Sequence, residues 1–290
     1  MIKKMILAVL ALGIFASSCS NDDDNTPSVA TLSLDLSGLE ALGDDYVYEG
    51  WIIVNGSPVS TGTFSSVTFP QSFTVDAVQL AAATTFVLSI EPAGETGAAA
   101  LAPADTKLLV GDFSGSIADV NTGIVGDFSG AAGAFFLRTP TDETGTNNGN
   151  DQNGVWFGTP GAPPTSNFTL PTLPMGWIYE GWVVGENGPI TTGTFNAFNT
   201  VDNFDGFSET LQSGPPVPGE DFFLNAPSGE AFPLDVRGRT VVISVEPVPD
   251  DSTAPFAMKP LVGTAGQETA PATHDFDQNF TSLPTGKVMR

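Results

Sequence analysis

The stretch YEGWIIVNGSPVSTGTF, from Tyr48 to Phe64, returns as YEGWVVGENGPITTGTF from Tyr179 to Phe195. A chain that repeats a seventeen-residue pattern, nine of its positions identical, is expected to fold as two copies of one unit. Leu39–Phe64 aligns with Leu170–Phe195 without a gap at an offset of 131. VLSIEP (Val87–Pro92) answers VISVEP (Val242–Pro247) at 155, and KLLVG (Lys107–Gly111) answers KPLVG (Lys259–Gly263) at 152. The order of blocks is kept while the spacing grows, so the second copy carries an insertion of about two dozen residues between Asn199 and Arg237. Units of this size are domains rather than solenoid repeats.

The shared blocks read as strands. YEGWIIV is rich in aromatic and β-branched residues, NGSP has turn chemistry, and VSTGTF is the returning arm. TTFVLSIE and RTVVISVE alternate with period two and stop at an E-P dipeptide, where proline cannot donate to a central ladder. With 32 Gly, 23 Pro and only 14% charged residues, the composition favours short strands and turns over long helices. The fold class expected is all-β: two tandem antiparallel β-sandwiches, Greek-key-like, behind a signal peptide. The division expected is a signal peptide over 1–18, an acidic tether over 19–30, a first repeat over 31–157, a Pro/Gly linker over 158–166 and a second repeat over 167–290. Each repeat is expected to bury its own Trp- and Phe-centred interior, independently of the other.

The N-terminus carries Lys3 and Lys4, then the apolar run MILAVLALGIFA (Met5–Ala16), too short for a mature membrane span. Cys19 follows and is the sole cysteine. FASSC resembles the lipobox of Bacteroidetes-type lipoproteins, with Ala16 in place of the usual Leu, and SNDDDN (Ser20–Asn25) resembles their acidic export tag. The resemblance implies acylation of Cys19, a membrane partner through that anchor, and an outer-membrane location, surface-exposed or on the periplasmic face. A free thiol at Cys19 in an oxidising compartment is the alternative. The chain has 9 Lys+Arg against 33 Asp+Glu; loss of Lys3 and Lys4 leaves 7 against 33, or −26. Such a field repels phosphate backbones, so nucleic acid is excluded as a partner. The acidity serves solubility or cation binding.

The frame W-x6-P-x3-G-x-F (Trp51, Pro58, Gly62, Phe64), followed by VLSIEPAGETG with its Glu91, resembles the extracytoplasmic C-terminal domain of anti-sigma-K factors. Trp182, Pro189, Gly193, Phe195 and Glu246 repeat it. The resemblance covers about half of each unit. Those factors also carry a cytoplasmic helical domain and a transmembrane helix, which no stretch here resembles. It therefore implies a shared ectodomain fold and does not carry sigma-factor regulation across.

Glu49, Glu91, Glu180 and Glu246 admit two readings: carboxylate pairs for glycoside hydrolysis, or anchors for backbone N–H groups at strand ends. Trp51 and Trp182 are expected to pin the cores. If they face inward, Tyr46, Tyr48, Trp177 and Tyr179 face outward as a ligand-facing aromatic strip. His274, Asp275 and Asp277 could take a divalent cation or lie on plain surface; Asp142–Gly154 lacks the full spacing of a calcium loop, and Asp202, Asp205, Glu220 and Asp221 stay open. No cofactor is expected beyond a divalent cation at one of these, and no metal set is assigned. The reading is a non-enzymatic envelope lipoprotein that binds, senses or builds structure, its partner an unidentified envelope protein or glycan. The alternatives are a carbohydrate-active hydrolase with paired glutamates and an envelope component of anti-sigma-type signalling.

Overall fold

The computed structural model describes residues 28–143, 150–208, 215–250 and 252–290. The first sheet takes β1 (Val29–Ser37), β2 (Tyr46–Val54), β3 (Ser57–Phe64), β4 (Gln71–Asp76), β5 (Thr85–Pro92), β6 (Lys107–Ser114) and β7 (Ile117–Asn121), with a short helix α1 (Ala77–Ala82) between β4 and β5. The chain then enters the second sheet through β8 (Ala134–Leu137) and β9 (Gly154–Phe157). There it forms β10 (Trp177–Val184), β11 (Pro189–Phe195), β12 (Gly219–Asp221), β13 (Thr240–Pro247), β14 (Leu261–Thr264) and β15 (His274–Gln278), and it returns to the first sheet as β16 (Thr285–Met289). All pairings within both sheets are antiparallel, as the turn-rich sequence predicts.

The two sheets share one topology. Their orders are β3-β2-β5-β6-β7-β16-β1-β4 and β11-β10-β13-β14-β15-β8-β9-β12. Position by position, β2 matches β10, β5 matches β13 and β6 matches β14, so the repeated words occupy equivalent places. The last strand of each repeat is exchanged: β8 pairs with β15 and β9, while β16 pairs with β7 and β1. Each sheet curls until its outermost strands meet, β3 against β4 and β11 against β12, giving two nearly closed barrels.

This arrangement corrects the expectation of independent halves. β8 and β9 fall inside 31–157 but belong to the second sheet, and β16 falls inside 167–290 but belongs to the first. The sheets therefore do not divide at 158–166. One contiguous cluster of buried apolar side chains takes in both interiors, including Leu34, Phe86 and Val288 of the first and Phe135, Phe157 and Ile243 of the second. The physical reason lies in β8 (AFFL) and β9 (GVWF), which are buried at every position. Phe135, Leu137, Val155 and Phe157 enter the main core, while Phe136 and Trp156 pack on the opposite side with Val217 from the insertion. Among the described residues no helix is long and apolar enough to cross a membrane.

Candidate functional site

The repeated signature is the scaffold around which the site is built. Tyr48 and Tyr179 point into the main core, each with its hydroxyl donating to a carbonyl eight residues earlier: Glu40 at 2.9 Å and Pro171 at 2.6 Å. They stack on Phe64 and Phe195, with centroids 5.5 and 6.1 Å apart. Gly50 and Gly181 stand beside them because a Cβ there would lie 2.5 Å from Thr61 Oγ1 and 2.3 Å from the Phe157 ring, respectively. A bulge follows each glycine. Gly62 and Gly193 opposite take φ of +114° and +107°, backbone that an L side chain resists. Pro58 and Pro189 sit on the outermost strands β3 and β11, where a missing donor costs no ladder bond.

Trp51 and Trp182 occupy the other face of the same strands and are buried there as well. Trp51 Nε1 donates to Ser89 Oγ at 2.9 Å, and Trp182 Nε1 to Ser244 Oγ at 2.7 Å. The expected parity is thus reversed. The tyrosines line the interior, the tryptophans cover a buried polar face, and Tyr48, Tyr179 and Trp177 present no ligand-facing strip. Trp177 instead donates to the Lys107 carbonyl at 3.2 Å, tying one repeat to the other. Tyr46, half-buried, is the member of that set that reaches a cavity.

The four signature glutamates are buried. Glu49 accepts from Ser60 Oγ, which itself accepts from the Gly62 N–H; Glu180 repeats this with Thr191 and Gly193. Glu91 accepts from Ser89 Oγ and the Ala104 N–H, and Glu246 from the Phe256 N–H. Within each repeat the two carboxyls repel one another, and burial outweighs the hydrogen bonds that oppose it. Desolvation raises Glu91, lifts Glu246 to about 7 and lifts Glu180 to about 8. A further acid joins each pair: Glu95 beside Glu91 and Asp250 beside Glu180 and Glu246. Sequence reasoning passed these two over, yet EPAGE (Glu91–Glu95) and EPVPD (Glu246–Asp250) keep the offset of 155 through that position.

Between the repeats these elements leave a cleft of about 630 Å³. The segment before β2 contributes Glu40, Asp44 and Asp45, and the first residue of β2 contributes Tyr46. The loop after β5 contributes Glu95 and Asp105, the end of β13 contributes Glu246, and the loop after it contributes Asp250. Ile90, Pro92, Pro247 and Phe256 make the apolar wall. Glu40 is raised chiefly by burial, with Lys259 and the Ala257 N–H pulling the other way.

The remaining candidates lie elsewhere. His274 accepts from the Gly266 N–H at Nδ1 (3.2 Å), which leaves Nε2 to donate to the Glu268 carbonyl at 2.9 Å, and its ring packs on Phe135. Asp275 and Asp277 are exposed. Asp202, Asp205 and Glu220 line a smaller hollow of about 350 Å³ beside Trp156, while Asp221 accepts from Thr141 N and Oγ1. Burial lifts Asp202 to about 6 and Glu220 to about 8. Among the described residues no group of three or more His, Cys, Asp or Glu is arranged to hold a metal ion. Cys19 and Ser20–Asn25 lie outside the described residues, as does 144–149 of the Asp142–Gly154 stretch.

Residues 25–106 match the model of the family described as anti-sigma-K factor rskA, C-terminal. The match takes in β1 to β5, including Trp51, Pro58, Gly62, Phe64 and Glu91, and it agrees with the resemblance carried by those residues. No curated protein and no solved structure matches the chain.

Proposed function

We propose that the protein is a lipid-anchored component of the cell envelope, tethered through Cys19, whose two anti-sigma-K-ectodomain-like repeats form one body with a single binding or sensing cleft between them and no catalytic centre. The observation that carries this reading is the fate of the repeated glutamates. In both copies each is buried and engaged in the same structural hydrogen bonds, so the duplicated chemistry holds loops and strands in place. What the two copies build jointly is the cleft, and a concave site with an apolar wall and convergent polar groups is where a small ligand gains most. The ligand-facing aromatic strip is set aside, because Tyr48, Tyr179 and Trp177 are buried.

Two measurements test it. Globomycin or Cys19→Ser is expected to move the protein out of the membrane fraction, and protease applied to intact cells is expected to cut it if it faces outward and to spare it if it faces the periplasm. Unchanged fractionation overturns the anchor. On the purified protein, a panel of chromogenic glycosides is expected to stay unhydrolysed; turnover that disappears in Glu49→Gln/Glu91→Gln overturns the non-catalytic reading in favour of the hydrolase.

The family match over 25–106 favours a second reading, an envelope component of anti-sigma-type signalling. Deleting the gene and finding every sigma-factor regulon unchanged removes it.

A further inference from the structure

We propose that the open face of α1, together with Val29 and Ile117, docks on the lipid surface to which the tether fastens the protein. This rests on the reading of Cys19 as a lipid anchor and adds how the anchored body lies on its membrane.

α1 (AVQLAA) buries Leu80 and leaves Val78, Ala81 and Ala82 on the outside, with Val78 73% exposed. A surface helix ordinarily carries polar residues on that side. Here the shallow hollow over it, about 410 Å³, is lined by Ala77, Val78, Ala81 and Ala82. Two further aliphatic side chains stand at the same end of the first barrel. Val29, 53% exposed, is the register partner of Asp76, the residue that caps α1. Ile117, 40% exposed, pairs with Met289 beside Arg290, and Arg290 reaches α1 itself.

The ends of α1 are prepared for a medium poor in water. At its start the Ala77 N–H donates to the Ser28 carbonyl at 3.1 Å, and the Gln79 N–H donates to Asp76 Oδ1 at 2.9 Å. At its end the Arg290 guanidinium donates to the Leu80 and Ala83 carbonyls at 2.9 and 2.6 Å, while lying 4.4 Å from the centre of the Phe113 ring. Terminal groups that a helix usually leaves to water are taken up by protein, as an apolar surrounding requires. Chain length brings the membrane to this face. Eight residues, 20–27, separate Cys19 from Ser28, whose carbonyl holds Ala77. Fully extended, that stretch spans about 30 Å at most. So short a tether keeps the patch at high effective concentration over the lipid, where a small apolar contact suffices. A second copy of the chain fits less well. A stable dimer buries roughly 800 Å² on each partner, more than one short helix and two flanking side chains offer.

The test places a polarity-sensitive fluorophore at Val78→Cys, and separately at Asp275→Cys on an exposed strand position of the second barrel, in the lipidated chain. Acylation of Cys19 leaves the new cysteine as the free thiol. The chain is reconstituted in vesicles of phosphatidylcholine and phosphatidylethanolamine, zwitterionic because its net charge of −24 opposes anionic lipid. The label at 78 is expected to shift to the blue and to be shielded several-fold from aqueous iodide relative to the label at 275. Val29→Ser/Ile117→Ser is expected to remove most of that shielding without moving the protein out of the vesicle fraction. Equal quenching of the two labels, or shielding that survives the serine pair, overturns docking. The soluble Cys19→Ser chain carries the same labels without vesicles; shielding at 78 that grows with protein concentration identifies a second copy as the occupant and overturns docking on lipid. Protein with Cys19 intact that fails to stay with the vesicles overturns the anchor and this proposal together, whereas protein that stays while both labels are quenched alike overturns docking alone.

Discussion

Glu91 and Lys107 grip opposite ends of one residue, Ala104. The carboxylate accepts from the Ala104 N–H at 2.8 Å, and the ammonium donates to the Ala104 carbonyl at 2.9 Å. The second repeat does the same with different loop residues: Glu246 accepts from the Phe256 N–H at 3.0 Å and Lys259 donates to its carbonyl at 2.6 Å. The clamp fixes the loop after β5 and its counterpart after β13, and those loops carry Asp105 and Phe256 into the cleft. A duplicated acid–base pair thus serves geometry, and the clamped loops are not themselves repeated in sequence.

Removing the acid leaves a loop N–H without an acceptor and a lysine without its counterweight. Glu246→Ala is expected to lower unfolding free energy by about 1–3 kcal/mol, the cost of leaving a buried loop N–H without its acceptor. Glu91→Ala should do the same in the first repeat. Urea denaturation followed by tryptophan fluorescence measures both, and a change under about 0.5 kcal/mol would show that the loops are held by packing alone.

The strand exchange makes a prediction that independent halves do not. Asp35 in β1 and Lys287 in β16 are register partners, and both are exposed. In a Cys19→Ser background, Asp35→Cys/Lys287→Cys is expected to lose both free thiols under mild oxidation, because facing side chains of an antiparallel pair lie within reach of a disulfide. Persistent thiols in folded monomer would mean that β16 stays with the second repeat.

Much of this architecture is legible in the sequence. The repeated blocks fall at equivalent sheet positions, Pro58 and Pro189 lie on outermost strands, and the E-P dipeptides end β5 and β13. What sequence could not give was sheet membership and facing. AFFL and GVWF lack alternation because both their faces are buried, so nothing in them says which sheet they join. The same double burial hid the parity of β2: Tyr48 and Trp51 lie on opposite faces, and neither face is polar enough to mark the outside. The cleft was out of reach for a different reason. Glu40, Glu95 and Asp250 are drawn together only by the packing of three loops from two repeats.

Close approach at the signature glycines gives a sharper mutational test. A Cβ on Gly181 would stand 2.3 Å from both the Phe157 ring and Thr192 Oγ1. Phe157 belongs to β9 and is buried within the shared core, so it cannot yield without displacing its neighbours. Gly181→Ala is expected to cost about 2–3 kcal/mol through overpacking. Gly56→Ala, at a turn with open space but φ of +79°, should cost less, about 1 kcal/mol from backbone strain alone. Thermal melts of the two variants compare them directly, and a reversed order would place strain above packing.

The buried acids set the direction of pH dependence. Glu180 and Glu220 are lifted to about 8 and Glu246 to about 7, each chiefly by desolvation. Between the ordinary glutamate range near 4.5 and these values, the unfolded chain has released protons that the folded protein still holds. Stability must therefore fall as pH rises through that window and level off above it. These groups impose no such penalty below the unfolded value. The melting temperature is expected to be several degrees higher at pH 5.5 than at pH 8.5, in opposition to the usual carboxylate behaviour, where pairing depresses the folded value. Glu220→Gln, which keeps the shape and removes the titration, should flatten the slope without touching the cleft. A melting temperature that rises from pH 5.5 to 8.5 would mean that these carboxyls are ionised in the folded protein, with a bound cation or water compensating them.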